Sequence, residues 1–245
     1  MSNLMVFDQQ PYDQYTVGDQ EVWSVLFNRQ MCAVKSCAYH AFAGHVKKLD
    51  FHSEKIPDIK KMNVLLQQMT RWTMYPLPGL LTDELFFRLM NFKKFGVRTT
   101  IRKKTVPDAD AEPDLFSDVF GHAPLLADPL MAAFVLGLAR IAERYVHVEA
   151  AVQMVYRLYG YTVESGLIRE GGEIKVYGGQ LLSSTTRAEY ALSTKAYRQP
   201  FNLDLILNTA WELGNMPEQF FVLDSFVQLK GILKGLDYAL RKKNP

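Results

Sequence analysis

The chain has 245 residues, 48% of them apolar, and its 28 Lys+Arg against 26 Asp+Glu leave a net charge of +2. That is ample for a sizeable core, and too little charge to steer the protein to nucleic acid or to an anionic membrane. No apolar run approaches the roughly 18 residues of a membrane span, so a membrane is not an expected partner either.

The opening "MSNLMVFDQQPYDQY" has no basic head followed by an apolar stretch, and Cys32 and Cys37 lie on a predicted helix, poorly placed for a bridge. A reduced, soluble, cytoplasmic protein acting as a monomer is the expectation. Asp19 to Leu49 has long helical character, with Val22, Val25, Leu26 and Arg29 at three-to-four spacing, and Ile59 to Trp72 predicts a second helix. "MYPLPGLL" is interrupted by Pro76 and Pro78 and predicts a turn or extended loop, after which Thr82 can cap a helix from Asp83 to about Phe95. The alternating, β-branched "GVRTTIR" predicts a strand from Gly96 to Arg102. Helices are predicted from Leu130 to about Glu143 and from about His147 to Ile168, strands in "GGEIKVYGG" and "QFFVLD", and a closing helix from Ser225 to Arg241. Without repeats or linkers, the chain reads as one domain over residues 1–245, mainly α with a few short strands.

Five histidines are present. His40, His45 and His52 lack acidic partners at ligand spacing and read as surface or packing residues, and His147 with Glu149 reads as a helix-surface pair. His122 is different: it follows Asp114 and Asp118 and precedes Pro124, so it is expected at a helix end with its ring in a cleft. Glu164 stands among apolar and aromatic residues in "LYGYTVESGL". A carboxylate there needs a partner such as a metal or an arginine, and a buried salt bridge is the structural alternative.

Seven blocks in order carry a resemblance: "IPDIKKMNVLL" from Ile56, "PLPGLLTDELFF" from Pro76, "FGVRTTIR" from Phe95, "EPDLFSDVFGHAPLLADP" from Glu112, "LYGYTVESGLI" from Leu158, "IKVYGGQLLSS" from Ile174 and "FFVLDSFVQL" from Phe220. Through them the chain resembles the pterin-dependent aromatic amino acid hydroxylases, and most closely the single-domain bacterial phenylalanine hydroxylases, over essentially its whole length. The resemblance implies that family's catalytic-domain fold, a tetrahydropterin cofactor, and non-haem Fe(II) held by two histidines and a glutamate. It places His122 and Glu164 on two ligand positions and Ser117 on the position of the other histidine. A serine hydroxyl is a poor ligand for Fe(II), so a water is expected in the imidazole's place and metal binding is expected to be severely weakened. Asp118 is a possible replacement donor, although in the family this acidic position faces the pterin. Glu164 and Asp118 are therefore the candidate catalytic residues.

For the cofactor, the resemblance implies Gly79, Leu80 and Leu81 as backbone contacts, Phe86 as the stacking ring, and Tyr159 and Asp118 nearby. Plain core packing is the alternative for Leu80, Leu81 and Phe86. For the substrate it implies Arg102 and Ser183 as a carboxylate clamp with Pro113 adjoining. A structural pair of Arg102 with Asp110, Glu112 or Asp114 is the alternative. Two bulky wall residues of the family are replaced by Gly160 and Ser165, which is expected to leave space. Sequence alone ranks a divergent pterin-dependent monooxygenase, acting on an aromatic amino acid or related carboxylate but not by ordinary phenylalanine 4-hydroxylation, ahead of an inactive pterin- or aromatic-ligand-binding protein. A metal-independent enzyme on the same fold comes last.

Overall fold

Thr16 caps the first helix, α1 (Val17–Cys37): its hydroxyl accepts from the Asp19 N–H at 3.2 Å while the Asp19 carboxylate accepts from the Thr16 N–H at 2.8 Å. The computed structural model describes residues 9–77, 79, 81–104 and 113–243. After α1 come α2 (Phe42–Lys48), α3 (Ile59–Thr70), β1 (Thr73–Leu77), α4 (Asp83–Asn91) and β2 (Lys94–Arg98). The middle of the chain holds α5 (Leu115–Leu126), α6 (Pro129–Arg144) and α7 (Glu149–Tyr159). The remainder alternates: β3 (Leu167–Glu170), β4 (Glu173–Val176), α8 (Gly179–Leu182), α9 (Thr185–Leu192), β5 (Tyr197–Pro200), α10 (Leu203–Asn208), β6 (Gln219–Leu223) and α11 (Leu229–Lys243). Helix thus dominates, as the periodicity implies.

Two small sheets serve the helices. β1 and β2 pair in parallel, and a second sheet runs in the order β4-β3-β6-β5, antiparallel only between β3 and β4. The core forms where α1 and α5 meet. Phe116 and Phe120, one turn apart on α5, stack at 4.9 Å, and the Trp23 ring of α1 meets Phe116 edge-on at 5.2 Å. Among the described residues no single helix is long and apolar enough to cross a membrane.

Several expectations are corrected by tertiary pairing. The helix expected from Asp19 to Leu49 breaks at Ala38, which turns extended (ψ 155) so that the Tyr39 N–H donates to the Val176 carbonyl of β4 at 2.9 Å. "MYPL" belongs to a strand that ends at Leu77; Pro76 is tolerated because a two-stranded sheet leaves each strand one unpaired edge. The helix expected to reach Phe95 stops at Asn91, and Lys93 (φ 56) turns the chain into β2, which ends at Arg98 and not at Arg102. The helix expected from His147 to Ile168 ends at Tyr159, followed by a wide turn over Gly160–Glu164 and then β3. His122 is not at a helix end either: α5 runs through Pro124 to Leu126. All of its residues but Ser117 are buried, and that packing outweighs the one hydrogen bond proline removes.

Candidate functional site

Asp114 is the N-cap of α5, and Ser117 completes a capping box with it. The Asp114 carboxylate accepts from the Ser117 N–H at 3.0 Å, and the Ser117 hydroxyl accepts from the Asp114 N–H at 2.7 Å while donating to the Asp114 carbonyl at 2.9 Å. The serine where the resemblance implies a histidine therefore has a structural occupation. Its hydroxyl secures the helix start and is not held open for a water ligand.

One turn and a half further on, His122 is buried and stacks on Phe95 of β2 at 4.7 Å. Its Nδ1 faces the carbonyl oxygens of Ser117 and Asp118 at 3.3 and 3.2 Å, and its Nε2 faces Glu164 Oε2 at 3.2 Å. Carbonyl oxygens only accept, so Nδ1 carries a hydrogen, and beside an ionised Glu164 the ring satisfies both sides as an imidazolium. Burial works against that charge, but the Glu164 carboxylate outweighs it and the His122 pKa is raised. For Glu164, burial favours the neutral acid, yet His122 and the Tyr159 hydroxyl, which donates to Oε1 at 2.8 Å, hold its pKa below the usual range. Tyr159 itself is buried and stays a phenol, its pKa pushed far up by burial and by Glu164. The partner of Glu164 is thus His122 and not an arginine, with the Tyr159 hydroxyl on its other oxygen.

Asp118 is committed elsewhere. Arg98 donates its backbone N–H to Oδ2 at 2.8 Å and its Nη1 to both carboxylate oxygens at 2.9 and 3.0 Å. A carboxylate gripped this way cannot swing toward His122 without stranding Arg98. Arg102 is also engaged: its backbone N–H and Nε donate to Asp114 Oδ2 at 2.9 and 2.8 Å, and its Nη2 donates to Oδ1 at 2.9 Å. Both side chains of that pair are only 8% exposed. The structural alternative for Arg102 is therefore present with Asp114; Asp110 and Glu112 lie outside the described residues.

A cleft brings most of the expected site residues together. Phe86, Gly79, Leu81 and Tyr159 line it with Asp118, His122, Glu164, Ser117 and Pro113. Leu80 lies outside the described residues. Phe86 meets Tyr159 edge-on at 5.2 Å, and Tyr159 stacks with Tyr156 at 6.3 Å, giving the cleft an aromatic wall suited to a flat heterocycle. Arg102 and Ser183 line a smaller adjoining cavity that shares Pro113, Ser117 and Gln180 with the cleft.

Gly160 and Ser165 do not line the cleft, and the space expected at Gly160 is filled. A Cβ on Gly160 would lie 2.1 Å from Cδ2 of Trp211, whose indole also packs edge-on against Tyr156 at 5.3 Å. The segment carrying Trp211 is pinned from α7 and the turn after it: Arg157 donates to the Leu207 carbonyl and Tyr161 to the Ala210 carbonyl, both at 2.8 Å. Ser165 is wholly buried, so its smaller side chain does not widen the cleft. Gly160→Ala is expected to cost about 1–3 kcal/mol through overpacking. In a Trp211→Ala background that penalty should vanish, because alanine is otherwise the better helix former. Urea denaturation of the four proteins tests this; an equal penalty in both backgrounds would mean that the indole is not what excludes the side chain.

Sequence reasoning missed Arg98, Tyr156, Gln180 and Trp211. Tyr156 alone left a signal, three residues before Tyr159 on the same helix face. The others reach the site from separate elements.

The donors present do not make up the three-donor iron site that the resemblance implies. His122 and Glu164 are two; Ser117 caps α5 and Asp118 is bound to Arg98. Among the described residues no group of three or more His, Cys, Asp or Glu side chains is arranged to hold a metal ion. The aromatic wall, by contrast, fits a pterin.

Comparison with known proteins agrees with the fold. A family profile described as biopterin-dependent aromatic amino acid hydroxylase matches residues 3–244. The chain is 35% identical to a phenylalanine-4-hydroxylase of Chromobacterium violaceum over 223 residues, 90% of this chain and 74% of that one. It is 33% identical to a phenylalanine-4-hydroxylase of Mesorhizobium japonicum over 231 residues, 94% of this chain and 83% of that one. A crystal structure of the Chromobacterium violaceum phenylalanine hydroxylase with bound iron(III) and 7,8-dihydrobiopterin superposes with a TM-score of 0.89 at 32% identity, covering 98% of this chain and 88% of that one. With the profile spanning nearly every residue and the fold matching at that level, this chain belongs to the biopterin-dependent aromatic amino acid hydroxylase family.

Proposed function

We propose that this protein binds a tetrahydropterin and an aromatic amino acid or related carboxylate without performing the iron-dependent hydroxylation of phenylalanine. One observation carries this reading: His122 Nε2 lies 3.2 Å from Glu164 Oε2 while Nδ1 faces two backbone carbonyls, so the two retained ligand positions are turned on each other and no third donor joins them among the described residues. The neighbouring acid gives no relief, because Arg98 already holds it. In this reading Phe86 offers the pterin ring its stacking face, and Gly79 and Leu81 approach it along the backbone. The amino acid lies toward Ser183 and Arg102, with Arg102 held in place by Asp114. In this reading the protein binds small molecules as a cytoplasmic monomer, its two cysteines, Cys32 and Cys37, reduced.

A second reading, the divergent monooxygenase, draws on the 3.2 Å between His122 Nε2 and Glu164 Oε2. Two donors at right angles on one divalent ion, with bonds of about 2.1 Å, lie about 3 Å apart. Anaerobic Fe(II) titration, pterin fluorescence quenching and a phenylalanine turnover assay on one preparation separate the two. The binding reading expects no stoichiometric iron, saturable pterin binding that Phe86→Ala weakens by about tenfold or more, and no tyrosine formed. Stoichiometric iron with turnover near ~1 per second, the low end of ordinary enzyme rates, would establish the monooxygenase instead.

A further inference from the structure

Gln180 is the second residue of α8, and α8 is wedged hard against the site. A Cβ on Gly179 would lie 2.4 Å from His122 Nε2, and one on Gly121 would lie 2.3 Å from the Gly179 carbonyl oxygen. These close approaches fix the backbone that carries Gln180. Gln180 is 8% exposed, and neither Oε1 nor Nε2 has a hydrogen-bond partner among the described residues. Folded proteins seldom leave both ends of a buried carboxamide unmet, since each carries a desolvation cost with no compensating bond. Gln180 also stands on the wall common to the aromatic cleft and the smaller cavity.

The surroundings specify what would satisfy it. The smaller cavity is lined by Arg102, Arg187, Ser183 and Ser184, and two cationic side chains on one small cavity suit an anionic oxygen group even with Arg102 bound to Asp114. Nε2 adds one more donor on that side, while Oε1 beside it calls for an N–H. We propose that Gln180 is a specificity-determining residue that reads the α-amino and α-carboxylate groups of an amino acid together, Nε2 donating to the carboxylate and Oε1 accepting from the ammonium. This rests on the reading that the protein binds an aromatic amino acid or carboxylate, and it narrows that class to ligands that carry both groups.

The test titrates the full chain and Gln180→Leu with phenylalanine and with 3-phenylpropionate, which lacks the amine, and follows thermal unfolding of both proteins without ligand. The wild type should prefer phenylalanine by about tenfold or more, the value of one well-made hydrogen bond. Gln180→Leu should bind the two compounds alike while unfolding at the same or a higher temperature, because an unmet polar group has been removed. Gln180→Met carries the same test if the leucine variant does not fold. A variant that unfolds earlier and keeps the preference would show that Gln180 is structural and overturn the inference. Equal binding of both compounds by the wild type would also overturn it, leaving the broader binding reading in place. Binding of neither compound, with pterin still bound, would remove the amino acid from both.

Discussion

Ser117→His is expected to raise Fe(II) affinity by at least about 100-fold, more than changes beyond the metal's own ligands usually achieve. The reason is geometric: His122 and Glu164 already present their donor atoms 3.2 Å apart in the cleft, so a second imidazole on the same helix adds the missing third donor. Two costs oppose this. The capping box loses the hydroxyl that accepts from the Asp114 N–H, worth about 0.5–1 kcal/mol, although Asp114 keeps its bond from the backbone of residue 117. His122, whose pKa is raised beside Glu164, must also be neutral to bind a metal, so Fe(II) affinity should rise with pH in the variant and the wild type alike. Isothermal titration with Fe(II) under anaerobic conditions, at two pH values, measures both effects. Unchanged affinity in a folded variant would mean that the pairing of Arg98 with Asp118 has reshaped the site beyond repair by one ligand.

Arg102→Ala is expected to destabilise the protein by about 3–5 kcal/mol, because it strands the buried Asp114 carboxylate. This departs from the tolerance that a purely ligand-facing arginine would show. Arg102→Met combined with Asp114→Ser, which removes both charges and keeps a capping side chain at the head of α5, should lose much less than the two single changes together. Urea denaturation of the wild type, both single variants and the double variant gives the coupling directly. Additive losses would show that the short distances between the two side chains carry little energy. Any loss of carboxylate binding in Arg102 variants has to be measured under conditions where they remain folded, since Arg102 also holds the start of the helix that bears Ser117 and His122.

Much of this protein was legible from residue order. Helical periodicity located α1, α3, α6 and α11, and Thr82 marked the start of α4 because capping and three-to-four spacing are local properties. The seven blocks pointed to the family, and the serine at 117, where the resemblance implies a histidine, could be seen without coordinates. What the sequence alone could not decide was every feature that depends on which remote segments meet. Ala38 ends α1 because β4 offers its backbone a partner, and Pro124 stays inside α5 because burial on all sides overrides a local breaker. Gly160 read as vacant space until Trp211, 51 positions on, proved to occupy it. The charges follow the same division: sequence showed a carboxylate at 164 and a histidine at 122, but only tertiary packing paired them with each other, bound Asp118 to Arg98 and Arg102 to Asp114. A buried charge takes the nearest opposite charge the fold supplies, and that distance is set by the packing of elements far apart in the chain.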